Sequence, residues 1–524
     1  MARNGSITFG DVARLSAEVR TRSNIIEIGK RRAARIFVAR LLELDEAETF
    51  DALESAYRTW SSKADIPEGS EAFWTFVEKS YLHLKHEPRD KFYELCLAVN
   101  EDLAALAKNL AHIRKEKQAL EEMQQGGEPL TGRDRYYKRQ LEYFEKKNLQ
   151  AREEITEFMT HEIKHHAIMK ASVQILPVNS MSSWLMGDHP YAFRMRNMWA
   201  SADPYDVNSL DEYSNKFMDL PVSNHRDFVR ECRSSPEHFR ALATAYINGI
   251  SDSYPSAKVK IGSLVQRSHI LDARKAVIET MLRHFEAKDY ISFVSMAPMQ
   301  IEGIFADICR EVDVSEKELV VSSVNDKLDH IVKNLRSFTS FEYYAFKFPV
   351  LRNQVAHGGL VDGDQEDTAI HLMLDLLPVC ELAVSDDLPI TRALKTLQEA
   401  STGNHEKLVE WLDVRKSVKI PGFYNVQEAI ENAEAQYTLP SFWDYLESQL
   451  KQLTDVNQIQ SSKPRKAACS LKNSNIAVEH AERFLKASRH IVAAAIQKRD
   501  EVRELWNARM KPKNASIEGG TGGA

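Results

Sequence analysis

At 524 residues, with 43% hydrophobic and 28% charged side chains, the chain has room for roughly three or four domains and the composition of an ordered globular protein. No apolar run approaches the ~20 residues of a membrane span, and the opening MARNGSITFGDVARL holds no apolar signal segment, so a soluble cytoplasmic protein with no membrane partner is expected. The five cysteines (Cys96, Cys232, Cys309, Cys380, Cys469) are dispersed with no CxxC pair, which fits reduced thiols and not a structural zinc site.

The net charge is −7, but its distribution is uneven. Residues 1–40 hold nine Lys/Arg against three Asp/Glu, and residues 460–524 hold thirteen against six. Residues 265–390 run the other way, at twelve against twenty-one. A polyanion would therefore find its cations at the two ends. The simpler reading is that these stretches are solvated helix faces.

In chain order, residues 1–89 read as short helices, with Ile36, Phe37, Leu41 and Leu42 at helical spacing inside a basic stretch. Residues 90–170 carry the clearest pattern. Phe92, Cys96, Val99, Leu103, Leu106, Leu110, Ile113 and Leu120 recur at alternating steps of three and four, a heptad seam interrupted by Lys117. GGEPLTG at 126–132 breaks the helix, and a second stripe follows: Tyr137, Leu141, Phe144, Ala151, Ile155 and Phe158. This predicts a long antiparallel helical hairpin with arms of roughly 50 Å. Residues 171–264 are punctuated by prolines and predict small helices and loops. Periodicity returns over 265–390. Residues 391–524 predict amphipathic helices, a linker at 461–466, a final helix over about 474–509 with Ile476, Phe484, Ile491, Ala495, Val502 and Leu505 as its apolar stripe, and a disordered tail, SIEGGTGGA.

One segment carries chemistry. Residues 348–360 read Phe-Pro-Val-Leu-Arg-Asn-Gln-Val-Ala-His-Gly-Gly-Leu. An Arg and a His four residues apart mean nothing alone in a chain with this much of both. Asn353 directly after Arg352, and Gly358 directly after His357, make the pattern specific. Pro349 can open a helical turn and the glycines can end one.

Here the sequence resembles the HEPN superfamily, whose ribonuclease members carry Arg-x4-6-His, often as Arg-Asn-x-x-x-His-Gly. Upstream, Lys288-Asp289-Tyr290 and Pro298-Met299-Gln300-Ile301-Glu302-Gly303-Ile304 are similar to the Tyr-bearing turn and Gln-Ile-Glu-Gly helix of large HEPN proteins. The resemblance covers residues 265–390. It implies a metal-independent endoribonuclease with no cofactor, His357 as general acid/base and Arg352 stabilising charge on the phosphate, leaving 2′,3′-cyclic phosphate and 5′-OH ends. A His titrates near neutral pH and an Arg fork fits phosphate oxygens, so this residue pair suits that chemistry. Asn353 is expected to orient the phosphate or the His. Glu302 is expected to orient Arg352, or to form a salt bridge with no catalytic part. The resemblance also implies a homodimer through the HEPN domain, RNA as substrate, and a role as toxin, abortive-infection or anti-phage defence effector. A higher oligomer or a partner protein is compatible with the long hairpin. The other reading is a catalytically silent HEPN scaffold that dimerises and recruits partners. The Tyr that a partner nucleotidyltransferase modifies in one HEPN branch is replaced here by Gly359.

Three further patterns weigh less. His161-Glu162-Ile163-Lys164-His165 matches HExxH, with Glu157 on the same helical stripe, but Lys164 is out of place and no third-ligand motif follows. The stretch from Phe158 to Lys164 resembles a histidine-kinase phospho-acceptor box without its ATP-binding motifs. Arg133–Lys147 interleaves Tyr136, Tyr137, Tyr143 and Phe144 with cations, as base-stacking surfaces do, though helix seams do so more often. His284, His330 and His371 have no pattern that selects them. The sequence thus predicts an all-α, multidomain protein: an N-terminal helical region (1–89), the hairpin (90–170), an irregular helical region (171–264), a HEPN helical bundle (265–390) and a C-terminal helical region (391–524).

Overall fold

A computed structural model describes residues 8–22, 24–61, 66–127, 129–172, 205–249, 256–356 and 364–510. The described residues are helical with no strand. One isolated antiparallel bridge joins Leu84 to Ser172. The chain divides into two compact units, residues 1–214 and 215–524.

The first unit opens with short helices at Phe9–Arg22, Ile25–Ile28, Lys30–Leu41 (α1), Phe50–Trp60 and Ser70–Ser80. Two long helices follow: α2 (Pro88–Gln125) and α3 (Gly132–Glu157), the latter continued by a π-helical turn, Phe158–Glu162, into α4 (Ile163–Ala171). Pro88 sits in the first turn of α2, and Thr131 with Asp134 closes a capping box on α3. At 38 residues, α2 is about 57 Å long. Cross-helix contacts fix an antiparallel register: Asn109 with Asn148, Glu116 with Tyr137, and Lys117 with Glu145 at 2.8 Å. The interrupting Lys117 thus has a carboxylate opposite it. Phe37, Leu53, Tyr57, Phe73 and Trp74 share one core with Leu95, Val99, Ile155 and Phe158, so the short helices and the hairpin base fold together. Asn148, fully buried in the seam, donates to the Tyr205 carbonyl at 2.8 Å, and Gln140 donates to the Val207 carbonyl at 3.1 Å.

The basic stretch of α1 is largely spent inside this unit. Lys30 and Arg31 flank buried Glu78, Arg40 pairs with Glu46, and Arg35 lies over the Phe50 ring.

The second unit contains α5 (Val222–Ser234), α6 (Pro236–Asn248), α7 (Lys275–Glu286), α8 (Tyr290–Glu311), α9 (Val324–Asn334), α10 (Phe341–Phe346), α11 (Phe348–Ala356) and α12 (Gln365–Leu382). α8 is the central rod, packed by α7, α9, α11 and α12. It buries Phe293, Val294, Ala297, Ile301, Ile304, Phe305 and Ile308 although Pro298 lies inside it. The C-terminal part adds α13 (His405–Ser417), α14 (Gln427–Gln436), α15 (Pro440–Leu450), α16 (Lys463–Asn473) and α17 (Val478–Met510) around Leu397, Trp411, Tyr437, Phe442, Leu446 and Phe484.

Two sequence expectations are corrected here. Residues 461–466 are not a linker: Pro464 stands in the first turn of α16, where its missing N–H costs nothing. The apolar stripe of the last helix is buried only in its first half. Phe484 and Val492 are buried, whereas Val502, Leu505 and Trp506 are exposed. The tail at 516–524 lies outside the described residues. No described helix is long and apolar enough to cross a membrane.

Candidate active site

α11 presents Arg352 and Asn353 and ends at Ala356. His357, Gly358 and Gly359 follow immediately and lie outside the described residues.

Arg352 aims Nε–H and one Nη2–H at a single oxygen of Glu302, at 2.6 and 2.5 Å. Its Nη1 donates to Asn353 Oδ1 at 3.0 Å. The other Glu302 oxygen accepts from Lys327 Nζ at 3.0 Å, and Lys327 also donates to the Ser322 carbonyl at 3.0 Å. The Glu302 side chain is 13% exposed, Lys327 8% and Arg352 23%. One carboxylate therefore holds two cations, leaving a net charge of +1. A guanidinium has five N–H donors. Among the described residues three are committed, so one remains on each terminal nitrogen. That pair, fixed at the back by Glu302, suits the oxygens of a phosphoryl group.

Three helices build this cluster: α8 supplies Glu302, α9 Lys327 and α11 Arg352. Lys327 escaped the sequence reading. Its signal was there, because it occupies the buried stripe of α9 with Val324, Leu328 and Ile331. A lysine on an apolar stripe requires a buried partner.

Arg274 escaped as well. It donates from Nε to Asp307 at 2.7 Å and from Nη1 to Gln300 at 2.9 Å. Its guanidinium lies across Gly303, where a Cβ would stand 2.4 Å from Nη1. A side chain at 303 would therefore displace the Arg274 guanidinium, and the Gln300–Gly303 segment serves two arginines: Gln300 and Gly303 receive Arg274, and Glu302 receives Arg352.

The start of α12, just beyond the motif, is tied down from two sides. Arg240 of α6 pairs with Asp364 at 2.6 Å and Asp367 at 2.8 Å. The Tyr290 hydroxyl donates to Glu366 at 2.9 Å. Burial and that carboxylate push the Tyr290 phenol up to about 12. His284 pairs with Asp289 and His330 with Glu318. His371 stacks on Phe239 at 4.3 Å, and burial, helped by the Lys216 charge, pushes it down to about 3.

The HExxH stretch straddles the π turn. The wider i→i+5 turn breaks the i,i+4 stacking on which that motif depends. No group of three or more His, Cys, Asp or Glu able to hold a metal occurs among the described residues. Of the aromatics of 133–147, Phe144 is buried and Tyr136, Tyr137 and Tyr143 are half-buried, Tyr137 donating to Glu116 of α2.

No protein-family model, curated protein or solved structure matches this chain.

Proposed function

We propose that residues 265–390 form a HEPN-type endoribonuclease in which His357 moves the proton and Arg352 stabilises the phosphate, without a metal. The observation that carries the reading is Arg352 itself. A carboxylate fixes its side edge while two N–H groups meet no partner among the described residues, beside a net positive charge in an otherwise acidic segment. RNA supplies its own nucleophile. The 2′-oxygen attacks the adjacent phosphorus as its proton passes to a base, the bond to O5′ breaks, and O5′ leaves with a proton. The products are a 2′,3′-cyclic phosphate and a 5′-OH. His357 suits the proton transfers, and a second subunit would supply a second histidine.

Exposed apolar side chains accompany the site. Ile291 and Met299, at 69% and 40% exposure, precede Glu302 on one face of α8 at i, i+8 and i+11. This favours a homodimer that covers that face. A toxin or anti-phage role rests on the resemblance alone.

The test is total cellular RNA incubated with the purified protein in EDTA, beside His357→Ala and Arg352→Ala, with fragment ends mapped. Cleavage by the wild type alone, ending in cyclic phosphates, is expected. Cleavage that survives in both variants would place the site elsewhere. Absence of cleavage under every condition would favour the scaffold.

A further inference from the structure

A groove of about 430 Å³ lies between α13 and α14, closed by the loop at 418–426. That volume is in the range of small-molecule sites. Its walls are apolar at Val418, Ile420, Val426 and Ile430, and among its lining residues only Arg415 is charged. Trp411 also lines it, is 3% exposed, and its indole N–H has no hydrogen-bond partner among the described residues. A buried donor without an acceptor calls for an explanation, and a ligand is one.

The charge of the lining is one-sided. Arginine and indole donate and never accept. Arg415 meets Glu434 through Nη1 only, at a long 3.4 Å, and Glu434 does not line the groove. The amides of Asn425 and Gln427, which also line the groove, accept as well as donate, so what the lining lacks is a negative charge. One guanidinium and no second cation suits a planar monoanion better than a phosphate dianion. The loop is held from its other side. The Tyr424 hydroxyl meets His269 Nδ1 at 3.1 Å, and His269 Nε2 meets Glu311 at 2.7 Å. The groove is thus formed before any ligand arrives.

We infer that this groove binds a small carboxylate with an apolar body, its carboxylate on Arg415 within reach of the Trp411 indole. The site is separate from the Arg352 cluster and does not depend on the ribonuclease reading.

Calorimetric titration of the full chain with phenylacetate, phenylacetamide and phenyl phosphate tests this. Phenylacetate is expected to bind saturably, and the neutral amide about ten-fold more weakly. Arg415→Gln should lose the preference for the acid, and Trp411→Phe, which keeps the ring without the donor, should weaken phenylacetate binding several-fold. Equal binding of acid and amide to the wild type would overturn the inference without recourse to any variant. So would tighter binding of phenyl phosphate, undiminished binding to Arg415→Gln, or no saturable binding at all.

Discussion

A lysine on the inner stripe of a helix is costly unless a carboxylate meets it, and Lys327 and Arg352 share one carboxylate. The three residues are therefore not equivalent. Removing Arg352 leaves Glu302 paired with Lys327, whereas removing Glu302 strands two cations close together, one of them nearly buried. Glu302→Ala is expected to cost about 2–4 kcal/mol of stability, discounted for the partial exposure of Arg352, against about 1–2 kcal/mol for Arg352→Ala. Urea unfolding of both variants measures the gap, and equal losses would show that Lys327 does not depend on Glu302. Sequence reached part of this cluster. Arg352, Asn353 and Glu302 stand in local patterns, so a reader scanning along the chain meets them. Lys327 and Arg274 act through partners 25 and 33 residues away, and spacing along the chain carries no record of such a contact.

Helices were the most legible elements, because burial of one face imposes a period on the sequence. The seam of α2 shows it: Val99, Leu106, Leu110, Ile113 and Leu120 are all buried. Periodicity fails where the partner ends. Val502, Leu505 and Trp506 continue the pattern of α17, yet they stand at 59%, 67% and 62% exposure. A stripe shows which face a helix offers, not whether anything covers it. Serine at all three positions is accordingly expected to leave the melting temperature of the chain unchanged, corresponding to less than about 0.5 kcal/mol. A marked loss in thermal unfolding would mean that the stripe is covered in solution. Local signals also misled at α16. Ser461 to Lys466 has the composition of a linker, but Ser462 and Pro464 are equally the start signals of a helix, and packing of Ala467, Ala468 and Leu471 decides between them.

At the scale of the molecule, the second unit begins with a polar plug that no sequence pattern marks. Lys216 and Asp375 form an ion pair with both side chains fully buried. Asn215 donates to Asp375 at 2.9 Å, and the Tyr343 hydroxyl donates to its other oxygen at 3.0 Å. The Lys216 ammonium also lies 4.2 Å from the centre of the Tyr343 ring. The next residue, Phe217, is buried with a left-handed backbone (φ 60°), a conformation that a bulky side chain adopts only when its surroundings impose it. The first residues of the unit are thereby fastened to α10 and α12, directly ahead of the helix that carries Arg352. An isolated charge in such a place is far more costly than the pair. Lys216→Met should destabilise this unit by about 3–5 kcal/mol, because Asp375 is left buried without its cation, while Lys216→Met with Asp375→Leu should recover most of the loss. The first unit has its own core and none of these residues. Calorimetry of the full chain is therefore expected to show one transition that falls in the single variant and returns in the double, and another that does not move. If both transitions fall together, the two units unfold as one and the plug supports the whole chain.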